Sequence, residues 1–265
     1  MAARARRSGG EKGSRVGPVE LTVDSHVATI TLNDPKTRNA LDVEAAGQVL
    51  ETCDAIERDA TVGAVVVCGA GGTFCSGAAR DLLKRAGEDP AEHERFENVG
   101  AVYDAFVRIG DLPVPTIAAV RGAAVGAGVN LMLATDLRIV AEDARIIAGF
   151  QRIGIHPGGG HFTLLGRLGG RETAAAIGLF GEEISGSQAQ ELHLAWKAVP
   201  DEQVDPLASE LAQRVAGDPQ LARRTVASLR RELGPPAVSW YAAVAMERAD
   251  QMWSLRRRHE TPANK

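Results

Sequence analysis

Two glycine-rich loops are the part of this sequence best suited to chemistry. One (GAGGTFCSGAARDL) follows a strand-like run that ends at Cys68, and the other (RGAAVGAGVNL) follows a run that ends at Val120. Small residues leave backbone N–H groups accessible at the end of a strand and the start of a helix, where open α/β sheets bind ligands. Two such donors can hold an oxyanion as its charge develops. The alternative interpretation is that the glycines only permit tight turns and close packing.

Other familiar catalytic motifs are absent from the sequence. Neither GxGxxG nor GxxxxGK[ST] occurs, so no loop for nucleotide phosphates is predicted. The nucleophile motif GxSxG is missing as well. His156 and His161 are five residues apart with no glutamate between them, which is the wrong spacing for two zinc ligands on one helical face. We therefore expect no metal site.

The same two histidines are candidates for proton transfer. His156 and His161 flank Gly158-Gly159-Gly160, and an imidazole titrates close to neutral pH. The alternatives are that His156 bonds to backbone at a strand end and that His161 faces solvent at a helix start.

Composition and charge favour a small molecule as the partner. The 265 residues carry a formal net charge of −4 and include 29 glycines, while aromatic residues make up only 4%. This balance argues against nucleic acid as a partner, because phosphate binding needs a concentrated positive field. No run approaches ~18 apolar residues, so no membrane span is predicted and we expect a cytoplasmic protein. The three cysteines lack CxxC spacing, which favours reduced thiols.

The N-terminal third of the chain begins with an irregular segment and continues into regular elements. Residues 1–17 are basic and glycine-rich, which predicts a disordered arm, with an organelle transit peptide as the alternative. Alternating runs at 19–23 and 27–32 predict a hairpin. Apolar residues at three- and four-residue steps then predict a helix over 43–56 with Asp42 as its cap.

Strands and helices alternate through most of the remaining sequence, which places the chain in the α/β class. Strands are predicted at 64–68, 116–120, 137–141 and 144–149, and helices at 92–110, 126–136, 161–168 and 171–180. From about Ser187 nearly everything is predicted to be helical, including a long helix over 238–258. We therefore divide the chain into an arm (1–17), an α/β core (18–200) and a C-terminal helical region (201–265).

Four stretches of the chain resemble the enoyl-CoA hydratase/isomerase (crotonase) superfamily. They are ATITLNDPKTRNAL, TFCSGAARDL, PVPTIAAVRGAAVGAGVNLMLATDLRIVAEDARI and RIGIHPGGG. The resemblance implies a ClpP/crotonase spiral core of repeated ββα units, followed by a helical C-terminal region that assembles homotrimers, often paired into hexamers. It also implies an acyl-CoA thioester as the substrate, with coenzyme A as part of that substrate and no separate cofactor.

The resemblance also assigns roles to individual residues. The two oxyanion donors become the backbone amides of Ala78 and Ala127. The residues expected to bind the substrate lie around the same loops, in the first turn and in the later HPGGG turn; they are Arg38, Ala40, Ser76, Gly77, Ala79, Gly126 and Gly158. Basic side chains near this channel are candidates for the coenzyme A phosphates, namely Lys36, Arg38 and Lys84.

Two departures from the family pattern bear on the reaction. Hydratases of this family handle water with two glutamates, and their positions are occupied here by Asn130 and Phe150. Neither side chain can act as a general base, and each acid–base group is worth about 10²- to 10⁴-fold in rate. We therefore expect hydration of ordinary 2-enoyl-CoA to be weak. Ala79 replaces an aspartate that is usual in the family. His156 and His161 remain the candidates for acid–base catalysis, and His156 is the one assigned to the catalytic residues.

Two functions are consistent with this pattern. The first is an acyl-CoA enzyme of the hydratase/isomerase type that stabilises a thioester enolate and runs hydration weakly or another reaction instead. The second is a non-catalytic carrier or regulatory protein that keeps the acyl-CoA pocket and has lost the acid–base pair.

Overall fold

The computed structural model describes residues 17–233 and 239–260. All but the last residue of the predicted arm (1–17) lies outside this part of the chain. In the described ranges nine strands form two sheets: β1 (Val19–Asp24), β2 (Val27–Leu32), β3 (Ala64–Gly69), β4 (Thr116–Val120), β5 (Ala123–Val125), β6 (Leu137–Ala141), β7 (Arg145–Ile147), β8 (Glu183–Ser185) and β9 (Lys197–Val199).

Ten α-helices are seen in the same ranges. They are α1 (Val43–Arg58), α2 (Arg80–Glu88), α3 (His93–Asp111), α4 (Ala127–Ala134), α5 (Phe150–Ile153), α6 (His161–Gly178), α7 (Gly186–Glu191), α8 (Asp201–Ala216), α9 (Pro219–Glu232) and α10 (Trp240–Glu260). Asp42 caps α1 as predicted, because its carboxylate accepts a hydrogen bond from the Ala45 amide at 2.8 Å.

The larger sheet has the strand order β1-β2-β3-β4-β6-β9. The predicted hairpin β1-β2 is antiparallel, and the remaining neighbours run parallel. Strand β3 is buried on both faces, with Val65 and Val67 in one apolar cluster and Ala64 and Val66 in another. This two-sided burial explains why β3 has a continuous apolar sequence rather than an alternating one.

A smaller sheet runs alongside and gives the core its spiral form. It has the order β5-β7-β8, and isolated bridges pair Leu41 with Ala78 and Cys75 with Ala124 next to it. Strands β4 and β6 of the larger sheet are thus each followed by a short strand of the smaller one, and helices come next. The predicted crotonase-like ββα spiral is confirmed.

Helices cover both faces of the larger sheet. Helix α8 packs on its outer face, where Val204 and Ala208 join the second apolar cluster. Helix α10 packs instead against α2, α3 and α6 on the side of the glycine loops. In the ranges that the structure describes, no helix has the length and apolar character needed to cross a membrane.

The structure differs from the sequence prediction mainly in short elements. Strands β8 and β9 have three residues each, and β9 interrupts the region predicted to be helical. Helix α6 contains a non-helical Gly170 (φ 80°), which agrees with the two helical segments predicted there. The long helix starts at Trp240, and Val238 lies outside the described residues. The boundaries of the proposed regions 18–200 and 201–265, and the trimer, stay predictions.

Candidate active site

A buried asparagine fixes the first glycine loop in place. Asn39 adopts a left-handed backbone conformation (φ 57°) and is 2% exposed. Its amide Nδ2 donates to the carbonyl oxygens of Ala70 and Thr73 at 2.9 and 2.6 Å, while its Oδ1 accepts from the Asp34 amide at 3.0 Å. These bonds tie the turn between β2 and α1 to the loop that follows β3.

The two glycine loops are joined to each other by backbone hydrogen bonds. The Cys75 amide donates to the Ala123 carbonyl at 3.1 Å, and the Val125 amide donates to the Cys75 carbonyl at 2.9 Å. Gly128 permits this approach, because a Cβ on it would lie 2.3 Å from the Cys75 carbonyl oxygen. Burial raises the pKa of the Cys75 thiol to about 12, so Cys75 remains protonated at neutral pH.

The amides of Ala78 and Ala127 lie close together across this junction. Each follows a glycine with positive φ, +92° at Gly77 and +51° at Gly126. The Ala127 nitrogen lies 3.5 Å from where a Cβ of Gly77 would be. Ala127 is the first residue of α4, and the first N–H groups of a helix have no partner within it. Two backbone donors from neighbouring loops are candidates for holding an oxyanion.

An inner cavity of about 480 Å³ opens beside these amides. Most of the residues singled out from the sequence line it; they are Arg38, Ser76, Gly77, Ala78, Gly126, Ala127, Asn130, Phe150 and Gly158. The remaining wall is largely apolar, with contributions from Leu83, Val99, Val102 and Ile155. A cavity of this size and character suits a small, largely apolar group of a ligand.

An outer groove of about 1230 Å³ shares Arg38, Ser76 and Ala78 with the inner cavity. Ala40 and Ala79 line this groove, as does Lys36. The Ser76 hydroxyl donates to the Thr37 carbonyl at 2.9 Å, which holds the two walls together. The shared residues make the groove and the cavity one continuous site, long enough for a ligand with a polar carrier and a short acyl end.

Several cations line the outer groove, although acidic side chains line it too. Arg95 is paired with Glu88 at 3.1 Å, and Arg145 is paired with Glu183. Within the described residues no ion pair is seen for three other cations of the groove, Lys36, Arg38 and Arg80. Lys84, a phosphate candidate from the sequence, instead lines a separate cavity beside His259.

Asn130 and His161 form a buried, uncharged pair. Asn130 is 1% exposed, its Nδ2 donates to the Gly158 carbonyl at 2.9 Å, and its Oδ1 lies 2.7 Å from Nδ1 of His161. Since the Asn130 oxygen can only accept, His161 carries its proton on Nδ1. Burial lowers the pKa of His161 from about 6.5 to about 3, so the imidazole is neutral at physiological pH.

Phe150 packs against the same histidine. It is the first residue of α5, and its ring meets the His161 ring edge-on with centroids 5.0 Å apart. The predicted helix start at His161 is confirmed, but its solvent-facing alternative is wrong, because His161 is fully buried. Glu247 of α10 covers this helix start, and its carboxylate accepts hydrogen bonds from the Gly160 and His161 amides at 2.7 and 3.1 Å.

The structure places His156 away from the inner cavity. Its Nδ1 lies 2.6 Å from the Pro157 carbonyl oxygen, and its ring faces Phe162. Its backbone amide donates to Ser254 of α10 at 2.8 Å. His156 is absent from the residues that line the cavity in the described part of the chain, since α10 holds its turn in this orientation. Its alternative role as a residue bonded to backbone therefore fits the observed contacts.

Two polar residues of the inner cavity were not identified from the sequence. Tyr103 lies on α3 and Gln251 on α10. Tyr103 falls within the apolar face of its helix, where a single sequence does not distinguish a core residue from one that contacts ligand. Gln251 comes from a helix 148 residues further along the chain, and nothing in the sequence signals that the two meet.

The buried His161 leads to a prediction about acid stability. The unfolded chain binds a proton at His161 below pH 6.5 and the folded protein does not until about pH 3. This site therefore makes the free energy of unfolding decrease as the pH is lowered through that window, by up to about 1.4 kcal/mol per pH unit. Above pH 6.5 the site leaves the free energy of unfolding unchanged. We expect His161→Gln to flatten the dependence between pH 6.5 and pH 4 in urea unfolding.

A matched control for this experiment is His93→Gln, since His93 is exposed at the start of α3. The control is expected to keep the wild-type slope. Equal slopes for wild type and His161→Gln would show that His161 is not the source of the acid sensitivity.

The two-sheet spiral and its joined glycine loops define a protein of the crotonase fold. The solved structure of PA4980 from Pseudomonas aeruginosa superposes with a TM-score of 0.75 and 34% sequence identity, covering 84% of this chain and 95% of that one. The enoyl-CoA hydratase/isomerase family model matches residues 22–247. The chain belongs to the enoyl-CoA hydratase/isomerase family.

Relatives within this family have more than one named activity. The probable enoyl-CoA hydratase EchA14 of Mycobacterium tuberculosis is 41% identical over 242 residues, which are 84% of this chain and 92% of the relative. The 1,2-epoxyphenylacetyl-CoA isomerase of Escherichia coli is 36% identical over 200 residues, covering 74% of this chain and 75% of that enzyme. Family membership therefore leaves the reaction open between hydration and isomerisation.

Proposed function

We propose that this protein is an enzyme that binds an acyl-CoA thioester and stabilises its enolate through the backbone amides of Ala78 and Ala127. The observation that carries the proposal is that both residues line the inner cavity and that the Ala127 nitrogen lies 3.5 Å from where a Cβ of Gly77, the residue before Ala78, would be. A thioester carbonyl held there gains negative charge as the enolate forms. Removing one such donor typically costs about 3 to 4 kcal/mol of transition-state stabilisation.

The substrate runs along both parts of the site in this proposal. The acyl group occupies the inner cavity, whose wall is largely apolar. The coenzyme A portion follows the outer groove past Arg38 and Lys36, which supply positive charge for its phosphates. Arg38, Ala40 and Ala79 line the entrance, where small or extended side chains leave room for the pantetheine arm.

The reaction is an enolate-forming one other than simple hydration. Activating water needs a general base, and Asn130 and Phe150 supply none. Among the described residues that line the inner cavity there is no carboxylate and no imidazole. Isomerisation adds no water, although it needs an acceptor for the proton that leaves as the enolate forms, and a relative that shares 36% identity is named as an isomerase. His156 contributes to proton transfer only if its turn moves toward the cavity.

The same lack of a carboxylate or an imidazole supports a second candidate function. A protein that holds an acyl-CoA in the groove and cavity without turning it over would act as a carrier or regulatory subunit. For either function we propose a homotrimer or a hexamer built from two trimers, as in the family. Large apolar side chains left exposed in the single chain, such as Phe180 and Trp196, are available for such an assembly.

One experiment separates these functions. The purified protein is incubated with 2-enoyl-, 3-enoyl-, β-keto- and malonyl-type CoA esters, with turnover followed by mass spectrometry and binding by calorimetry. We expect acyl-CoA binding, slow hydration of crotonyl-CoA and faster conversion of at least one other ester. Rapid hydration of crotonyl-CoA would contradict the role assigned to Asn130 and Phe150. Binding without any turnover would favour the carrier, and no binding would overturn both functions.

A further inference from the structure

Two buried polar atoms of the inner cavity have no hydrogen-bond partner in the part of the chain that the structure describes. They are the hydroxyl oxygen of Tyr103 and the amide oxygen Oε1 of Gln251. Tyr103 is 4% exposed and Gln251 is 3% exposed, and both residues line the cavity. A buried polar group without a partner costs about 1 to 3 kcal/mol, so a native protein retains such a pair only for a reason.

The two side chains meet at one point of the cavity wall. The Tyr103 hydroxyl and the Gln251 Nε2 each lie 2.4 Å from where a Cβ of Gly158 would be. They thus reach the same spot from opposite helices, α3 and α10. A Cβ on Gly158 would meet the ends of both side chains, which would then have to shift.

The surroundings of the two side chains fix what each can offer. Gln251 Nε2 donates to the His156 carbonyl at 3.4 Å, which leaves Oε1 as the acceptor. Burial raises the pKa of Tyr103 above its usual value, so the phenol keeps its proton and can donate. The cavity wall near them is apolar, with Val99 one turn before Tyr103 and Val102 next to it on the same helix.

A donor and an acceptor on the same part of the cavity wall complement a hydroxyl group, which accepts one hydrogen bond and donates another. A carbonyl group would satisfy only Tyr103, and a hydrocarbon would satisfy neither. We propose that Tyr103 and Gln251 select acyl-CoA thioesters whose acyl group carries a hydroxyl, with that hydroxyl accepting from Tyr103 and donating to Gln251 Oε1. This specificity rests on the proposed acyl-CoA function.

The test compares CoA esters that differ by one oxygen atom. Binding of butyryl-CoA, 3-hydroxybutyryl-CoA and 4-hydroxybutyryl-CoA is measured by calorimetry for wild type and for Tyr103→Phe. We expect wild type to bind one of the hydroxylated esters about tenfold more tightly than butyryl-CoA, since one or two net hydrogen bonds are gained. Tyr103→Phe is expected to remove most of this preference, measured as the ratio of the dissociation constants for the hydroxylated ester and butyryl-CoA.

Three further variants distinguish a loss of hydroxyl recognition from a general structural effect of substitution. Gln251→Leu is expected to lose the preference, while Gln251→Glu, which keeps an acceptor oxygen, retains it. Tyr241→Phe removes the hydroxyl of the chain's other tyrosine, on the exposed side of α10, and is expected to leave the preference intact.

Two outcomes would overturn this inference while leaving the proposed function standing. One is an equal affinity of wild type for all three esters. The other is a Tyr103→Phe variant that loses the same amount of affinity for each of the three esters. If none of the esters binds to wild type, the acyl-CoA function itself fails.

Discussion

Replacing both Asn130 and Phe150 by glutamate is expected to raise the rate of crotonyl-CoA hydration by about 10²- to 10⁴-fold over wild type. Both side chains line the inner cavity beside the oxyanion donors, so new carboxylates there face the reacting end of the thioester. The apolar surroundings of Phe150 raise the pKa of a carboxylic acid, which suits exchange of a proton near neutral pH. His161 Nδ1, now 2.7 Å from Asn130 Oδ1, can donate to a carboxylate oxygen in its place.

The measurement follows loss of the enoyl thioester's ultraviolet absorbance and identifies 3-hydroxybutyryl-CoA by mass spectrometry. A matched control is Asn130→Gln with Phe150→Leu, which alters the same two positions without adding a carboxylate. We expect no gain in the control and little gain in either glutamate single variant. If the double glutamate variant folds, binds crotonyl-CoA and still does not hydrate it, the inner cavity does not place these residues as in a hydratase.

Gly77→Ala is expected to lower kcat by about 10²- to 10³-fold, which is the loss typical of removing one oxyanion donor. The rate is measured on whichever CoA ester the protein converts fastest. Gly77 has φ +92°, and a Cβ on it would lie 2.6 Å from the Val125 carbonyl oxygen. Alanine therefore forces the two loops apart and turns the Ala78 amide away from Ala127. Because the donors act most strongly on the charged enolate, kcat is expected to fall more than KM rises.

Gly72→Ala is the control for this variant. Gly72 lies in the same loop with φ +73°, but no atom lies within 4 Å of where its Cβ would be. Alanine at either position strains the backbone, at a cost of about 1 to 3 kcal/mol, and urea unfolding measures that loss for both. We expect Gly72→Ala to keep the wild-type kcat. Equal loss of kcat in the two variants would assign the effect to strain and remove the case for Ala78 as a donor.

Most of the fold was predictable from local patterns. The strands of the larger sheet from β1 to β6 and the helices α1, α3 and α4 were predicted, because each has either an apolar period or a continuous apolar run in the sequence. Strands β5, β8 and β9 were missed, because three residues carry no period and their place depends on pairing with distant partners such as β7 and β6. Resemblance to a family identified the spiral arrangement, which no local pattern specifies.

The candidate site was predictable where it depends on the backbone. Glycine spacing placed the two loops, and the resemblance assigned the amides of Ala78 and Ala127. The surroundings of the side chains were less predictable from the sequence. The burial of His161 follows from contacts with α10, and Tyr103 and Gln251 are 148 residues apart in the chain. Pairings of that kind arise from tertiary packing, and a single sequence holds no separate signal for them.

The hydrogen bonds that join the two glycine loops indicate that two properties of a catalyst depend on different parts of this structure. The Cys75 and Val125 amides fix the spacing of the oxyanion donors through main-chain atoms alone. The side chains that we propose govern the reaction and the fit of the acyl group, Asn130 and Tyr103, line the cavity outside this junction. The chemistry can therefore be changed by a few substitutions without rebuilding the charge-stabilising scaffold, which makes this core a practical starting point for engineering other thioester reactions.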